Sequence, residues 1–361
     1  MEFALSQEQR LFQDSIRRFL EQHSSLDRVR RAAGSNDCVP KDLWDGLCGM
    51  GVPGILIPEE FGGMGLGFLD AAIAYEMMGR HVAPAPFVGT SVMAPLALMH
   101  AGSAAQKEHW LPLLASGKAR AGVGVTEAIG AREGAGVDAR GATLSGKALF
   151  VIDQAGADVF IVVDRNRALH IVKADARGLS QRALPTIDKT RSVGELIIDG
   201  VAADALPGPG SDAIARMIDA GRVMLAADTL GAGQTMIDKA VAYAGERMQF
   251  GRVIGSFQAV KHMCAEMTAR LEPSRSLVWY AAHALDENLD DARVAACHVK
   301  SHLSEVGRFV ARTSTEVHGG MGFTDLLGLH YWFKRIGFDR QILGGPEQVR
   351  LEAARLQGWA A

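Results

Sequence analysis

Apolar residues recur every three to four positions over most of the first 117 residues and again from about residue 211 onward; a period of two appears only in between. Ser6 and Gln9 predict a capping box ahead of a helix whose Leu11, Phe12, Ile16, Phe19 and Leu20 share one face. Further helices are predicted near 40–50, 69–80, 90–100 and 103–116, separated by Pro and Gly breaks such as VPGILIPEEFGGMGLG at 52–67. From about Arg120 the texture changes. RAGVGVTE, KALFVID, GELIIDG and the paired runs of ADVFIVVDRNRALHIVKAD predict short strands, hence a small antiparallel sheet or barrel over about 120–205. After ALPGPGSD the helical spacing returns, with one very long helix from about Ser211 to Gly245, a second after Gly255, a third after Asp290 and shorter ones beyond. Those lengths suit a four-helix bundle.

The expected architecture is therefore α+β and multidomain: an N-terminal helical domain (1–118), a middle antiparallel β-barrel-like domain (119–208) and a C-terminal four-helix bundle (209–361). Helices so rich in Ala, Met and Leu also suit packing against another subunit. No internal repeat or low-complexity segment interrupts the pattern.

Composition changes this picture little. Of 361 residues, 48% are hydrophobic and 22% charged, with a net charge of -3, which gives no electrostatic reason to expect nucleic acid or an anionic membrane as partner. Cys38, Cys48, Cys264 and Cys297 lack any CxxC spacing, so neither a disulfide framework nor a zinc knuckle is indicated and a reducing compartment fits. The N-terminus starts with an acid and soon turns helical, unlike a secretory leader, and no apolar run reaches the length of a membrane span. A cytoplasmic protein is expected.

Several motifs have plain readings. GPGSDA (208–213) has the letters of a dinucleotide fingerprint, but no βαβ unit surrounds it, so it reads as a linker leading into a helix capped by Ser211 or Asp212. His298, His302 and Glu305 share a helix face but lack a further ligand, and read as a solvated or interface face. PEEFGGMGLG (58–67) lacks the Lys-Ser/Thr of a phosphate loop and reads as a tight turn.

ERMQFGRVIGSFQAVKHM (246–263) is richer than a helix-to-helix turn requires. Arg247 supplies a fixed fork for a phosphate, Phe250 and Phe257 supply apolar walls, and Gln258 offers an amide able to address an adenine edge or a ribose. Gly251 lets backbone approach a ligand closely. Two helix caps with buried phenylalanines remain an equally good account at this level.

PEEFGGMG, VTE at 125–127, RMQFGRVIGSFQ at 247–258 and EVHGGMGF at 316–323, taken in this order across helical, β and helical segments, resemble the signatures of the acyl-CoA dehydrogenase family of flavoproteins. The resemblance runs over nearly the whole chain. It implies bound FAD, a tetramer of two dimers, an electron-acceptor protein and α,β-dehydrogenation of a fatty-acyl or related CoA thioester. It also implies that Arg247, Gln249, Phe250, Gly251, Phe257 and Gln258 grip the diphosphate and adenine end of a neighbouring subunit's FAD, joined by Glu316, Gly319 and Gly320. Val125, Thr126 and Phe150 would border the ring held by the chain's own β segment.

Departures from the family pattern are as informative. The mechanism needs a carboxylate to take the α-proton while hydride passes from the β-carbon to the flavin. Leu343 stands at the usual glutamate position, followed by Gly344 and Gly345, and Gly221, before Arg222, stands at the alternative one. TEPxxGSD is replaced by TEAIGARE, and the threonine of the WIT strand is lost in Phe150-Val151-Ile152. Glu316 replaces a glutamine near the FAD diphosphate and opposes binding unless a cation offsets it. Asp325-Leu326-Leu327 replaces the Trp-Glu-His of a divergent branch built from two related chains. Three readings follow: one subunit of a hetero-oligomeric dehydrogenase with no catalytic carboxylate of its own; a homo-oligomeric flavoenzyme using Asp219, Asp228 or Asp325, or performing other flavin chemistry; or a flavin-free helical interaction protein. Arg222 faces either a cleft or a bundle salt bridge.

Overall fold

The structure is a computed structural model that describes residues 4–35, 39–130 and 132–360, so Cys38 lies outside the described residues. In chain order its helices and strands are α1 (Gln7–His23), α2 (Leu26–Gly34), α3 (Lys41–Gly49), α4 (Phe68–Arg80), α5 (Ala94–Ala101), α6 (Ala104–Ala115), β1 (Ala121–Gly124), α7 (Thr126–Ile129), β2 (Gly136–Arg140), β3 (Thr143–Ile152), β4 (Val159–Val163), β5 (Leu169–Lys173), β6 (Leu179–Ala183), β7 (Val193–Ala202), β8 (Asp204–Ala205), α8 (Gly210–Glu246), β9 (Met248–Gln249), β10 (Arg252–Val253), α9 (Gln258–Asp286), α10 (Ala292–His318), α11 (Leu329–Gln341) and α12 (Pro346–Leu356). Two compact units result: Met1–Arg31 with Ala72–Ala83 and Arg222–Ala361, and Ala32–Ala71 with Pro84–Gly221.

Local signals hold where they are strong. The Ser6–Gln9 capping box closes α1, and Ser103 with Gln106 forms a second one on α6. On α1 the buried stripe is narrower than the periodicity suggests: Ile16 and Leu20 are fully buried, while Leu11 is exposed.

Within the second unit, the eight-stranded sheet has the order β6-β7-β3-β1-β4-β5-β8, with β2 pairing β3 beside this path. Every pair is antiparallel except β1 with β4, which run parallel. β5 and β6 stand near opposite ends of that order, yet only residues 174–178 connect them. So short a link cannot cross an open six-strand span, so the sheet must curl. Gln181 Nε2 accordingly donates to the carbonyl of Ala174 at 3.1 Å, and Gln154 Nε2 to Gln181 Oε1 at 2.8 Å. Phe160, Val162, Val172, Leu196 and Val201 fill the inside of the curl.

In the first unit, α8, α9 and α10 are the three long helices and α11 and α12 two shorter ones. Residues 222–233 of α8 are all buried, which is why apolar residues face every side of this stretch rather than one stripe, with Arg222, Asp228 and Thr229 as buried polar exceptions. Helix α8 meets the end of α4 at backbone distance: a Cβ on Gly231 would lie 1.9 Å from the Glu76 carbonyl oxygen, and one on Gly79 would lie 2.1 Å from that of Asp228. Polar groups punctuate this core. Arg335 pairs with Asp228, both fully buried, and Lys300 Nζ donates to the carbonyl of Asp339.

Candidate functional site

The 247–258 segment folds as a two-residue β-hairpin in which Gln249 pairs with Arg252 and Met248 with Val253. Its central residues both have positive φ, 52° at Phe250 and 75° at Gly251, the signature of a type I′ turn whose twist matches the strands. Glycine occupies the second position at no cost, whereas phenylalanine at the first costs about 1–2 kcal/mol of backbone strain. Burial does not repay it, because Phe250 is 91% exposed. A strained, exposed aromatic marks a surface built to meet something else. The phenylalanines are thus not simply buried caps. Phe250 meets Phe257 edge-on at 6.1 Å, and the Arg252 guanidinium lies 4.0 Å over the Phe257 ring.

Arg247 fixes the hairpin base through its main chain: its N–H donates to Tyr243 at 2.9 Å and its carbonyl accepts from Ile254 at 2.8 Å. Its side chain is exposed and makes no ion pair among the described residues. Gln249 is exposed, with Nε2 donating to the Met248 carbonyl, and Gln258 opens α9 in solvent. The rings of Tyr243 and His318 lie 4.7 Å apart, tilted by 31°, so the end of α10 lies beside the end of α8 from which the hairpin departs. There Gly319 and Gly320 begin a 3-10 turn, and a Cβ on either would meet nothing within 4 Å. Glu316 is exposed one turn earlier, with Arg312 Nη2 at 4.0 Å as the offsetting cation, and both line a groove of about 780 Å³ between α9 and α10.

In the sheet-bearing unit, Val125 is buried ahead of α7, and the Thr126 hydroxyl donates to the Leu149 carbonyl. Between Ala148 and Val151 the β3–β7 register slips by one residue, a bulge that frees the Leu149 carbonyl and turns Phe150 outward at φ 53°. The Arg132 guanidinium lies 5.6 Å over the Phe150 ring. Next to the bulge, buried Asp153 accepts from the amides of Gly89 at 2.7 Å and Thr90 at 3.4 Å; desolvation raises its pKa, against the lowering effect of Arg191 and these amides. Among the described residues Glu127 Oε1 is buried with no hydrogen-bond partner.

The positions where a base is expected are built into the interior. Leu343 is 2% exposed at φ 58°, and its carbonyl accepts from Arg222 Nε at 3.1 Å. Arg222 is buried too, with Nη2 2.7 Å from Glu352 and Nη1 3.3 Å from Cys297 Sγ, so it makes the bundle salt bridge. Asp228 is consumed by Arg335, Asp325 by Arg30 at 3.1 Å, and Asp219 is buried on α8. His298 and His302 face solvent, and Glu305 is held by Arg340 and Arg308. The amides of Gly63 and Gly65 are spent on the Pro58 and Ile57 carbonyls, so 58–67 is a self-bonded turn.

Residues 6–118 match the acyl-CoA dehydrogenase N-terminal domain and residues 208–355 the acyl-CoA dehydrogenase C-terminal domain. Over 97% of its length the chain is 30% identical to acyl-CoA dehydrogenase IpdE2 of Mycolicibacterium smegmatis, of which 99% is covered. The chain belongs to the acyl-CoA dehydrogenase family. Two solved structures superpose closely: the Tcur3481-Tcur3483 steroid ACAD G363A variant (TM-score 0.88, 31% identity, covering 97% of this chain and 98% of that one), and the ChsE4-ChsE5 complex from Mycobacterium tuberculosis, for which the likeness is one of fold (TM-score 0.91, 24% identity, 100% of each chain). Among the described residues no helix is long and apolar enough to cross a membrane.

Acyl-CoA dehydrogenases are flavoprotein oxidoreductases, and the residues present fit a flavin nucleotide unevenly. The hairpin and the turn after α10 together offer a guanidinium with no ion pair among the described residues, exposed side-chain amides and open glycines, the donor set an anionic tail requires. On the ring side, the Thr126 hydroxyl proton is already donated to Leu149, leaving that oxygen only as an acceptor. Nothing in the sequence marked Arg252 or the bulge at Phe150; a second arginine after Phe-Gly was visible, but the side it faces is set by the turn.

Proposed function

We propose that the chain is a subunit of an FAD-dependent acyl-CoA dehydrogenase, one that completes the FAD site of a neighbouring, homologous subunit and relies on that neighbour for the catalytic carboxylate. A single contrast carries this reading: the exposed hairpin holds an uncommitted Arg247, whereas Leu343 and Arg222, at and beside the two positions for a base, are locked inside the bundle. When bound, FAD supplies the hydride acceptor for α,β-dehydrogenation of a CoA thioester. In this reading Arg247 binds the diphosphate, Gln258 and Gln249 address the nucleotide, Phe250 and Phe257 wall it, and Gly319 and Gly320 admit it closely beside Glu316. Val125, Thr126 and Phe150 border the chain's own, weaker ring position. Two solved relatives carry the names of two chains, ChsE4-ChsE5 and Tcur3481-Tcur3483, which supports assembly with a related partner in a tetramer. The segments 1–118, 119–208 and 209–361 serve as its three domains, electrons pass to an acceptor protein, and the cytoplasm is its compartment.

The test is purification of the chain alone and co-expressed with homologous chains encoded beside it, followed by flavin quantitation, native mass spectrometry and turnover on a panel of acyl-CoA thioesters that includes steroid side-chain thioesters. The co-expressed complex is expected to hold FAD and to turn over, and the lone chain to do neither. Full flavin content and turnover in the lone chain refute the proposal.

A further inference from the structure

Arg252 stands outside the nucleotide-contacting set, yet the structure gives it a defined place. It occupies the strand position opposite Gln249, directly after the strained Phe250-Gly251 turn, with its guanidinium 4.0 Å over the Phe257 ring. Phe257 and Phe250 in turn meet in a T-shaped contact, 6.1 Å between ring centroids and 82° between planes. Like Arg247, Arg252 makes no ion pair among the described residues. The stack ties the second strand of the hairpin to the residue that immediately precedes α9. Without it, little opposes relaxation of the turn: the hairpin has only two residues per strand, and phenylalanine disfavours the left-handed region.

We infer that Arg252 is a positioning residue. By stacking on Phe257 it holds the hairpin in the strained geometry that presents Arg247, Gln249 and Phe250, and it adds a second cation beside the anion-binding face. This rests on the reading of the hairpin as the trans-acting FAD-tail site. Lysine would keep the charge but lose the planar stack, so the two contributions are separable.

The experiment compares the full-length wild type with Arg252→Met, Arg252→Lys, Phe257→Leu and the Arg252→Met/Phe257→Leu double variant. Amide hydrogen exchange is followed at Ile254, whose N–H is bonded to the Arg247 carbonyl. Arg252→Met is expected to speed exchange roughly two- to fivefold, the loss of one exposed cation–π contact. The double variant is expected to add little beyond Phe257→Leu. Unchanged exchange in Arg252→Met, or full additivity, overturns the stacking role. In the co-expressed complex, Arg252→Met is expected to release FAD severalfold faster with its oligomeric state intact, and Arg252→Lys to lie between. Faster exchange with unaltered FAD release in a flavin-loaded complex overturns the link to the site. A wild-type complex without flavin instead refutes the trans-site reading, while the exchange data still decide whether Arg252 orders the hairpin.

Discussion

Arg222 Nε donates to the main-chain carbonyl of Leu343 at 3.1 Å, joining α8 to the turn between α11 and α12. Leu343, which its motif places where a carboxylate is expected, is thereby held by its backbone, with its side chain inside. Leu343→Glu should therefore not create a dehydrogenase. It would bury a carboxylate near an arginine already paired with Glu352, at a cost of about 2–4 kcal/mol. A lower Tm and no acyl-CoA-dependent dye reduction by the variant alone are expected; turnover would show that the base position is functional after all.

The fully buried Arg335–Asp228 pair should be costly to halve and cheap to remove whole. Arg335→Met alone is expected to lose about 3–5 kcal/mol in urea unfolding, because Asp228 is left charged and buried. Adding Asp228→Leu should recover most of that loss. A double variant as unstable as the single one would mean that the pair contributes more than it costs to bury.

Two glycines on α8 should behave oppositely. Gly231→Ala places a methyl 1.9 Å from the Glu76 carbonyl oxygen and is expected to cost at least about 2 kcal/mol. Gly245→Ala meets nothing within 4 Å and should gain about 0.5 kcal/mol from helix propensity. Thermal melts of the two variants check both signs.

Lys300 is buried on α10, and its pKa is pulled down from 10.5 to about 7, chiefly by desolvation, with Asp339 opposing the shift and Arg222 and Arg340 adding to it. Between those values the unfolded chain binds the proton and the folded chain does not, so this residue's contribution to stability rises with pH from about 7 to 10.5 and is lost as pH falls through 7. Lys300→Met should exceed the wild type in stability near pH 7, with the gap narrowing toward pH 9.5. A gap independent of pH in paired urea titrations contradicts the buried neutral amine.

What the sequence determined by itself was whatever repeats locally. Helical spacing located α8, α9 and α10 to within a few residues, the Ser6–Gln9 box set the start of α1, and Phe-Gly with its flanking residues singled out the 247–258 loop though not its hairpin form, because these signals depend on neighbours one to four positions away. β2 and β6 escaped notice: β6 is mostly exposed and β2 buries only Gly136 and Val137, so neither GVDAR nor LSQRA gives a clear strand period. The curl of the sheet, the parallel β1–β4 pair and the bulge that turns Phe150 outward depend on which strands meet. The fate of Arg222 lay beyond any local rule, since its partners Leu343 and Glu352 are 121 and 130 residues away. A side chain's chemistry is written in its letter, but whether it faces a cleft or a core is decided by packing among segments distant in the chain.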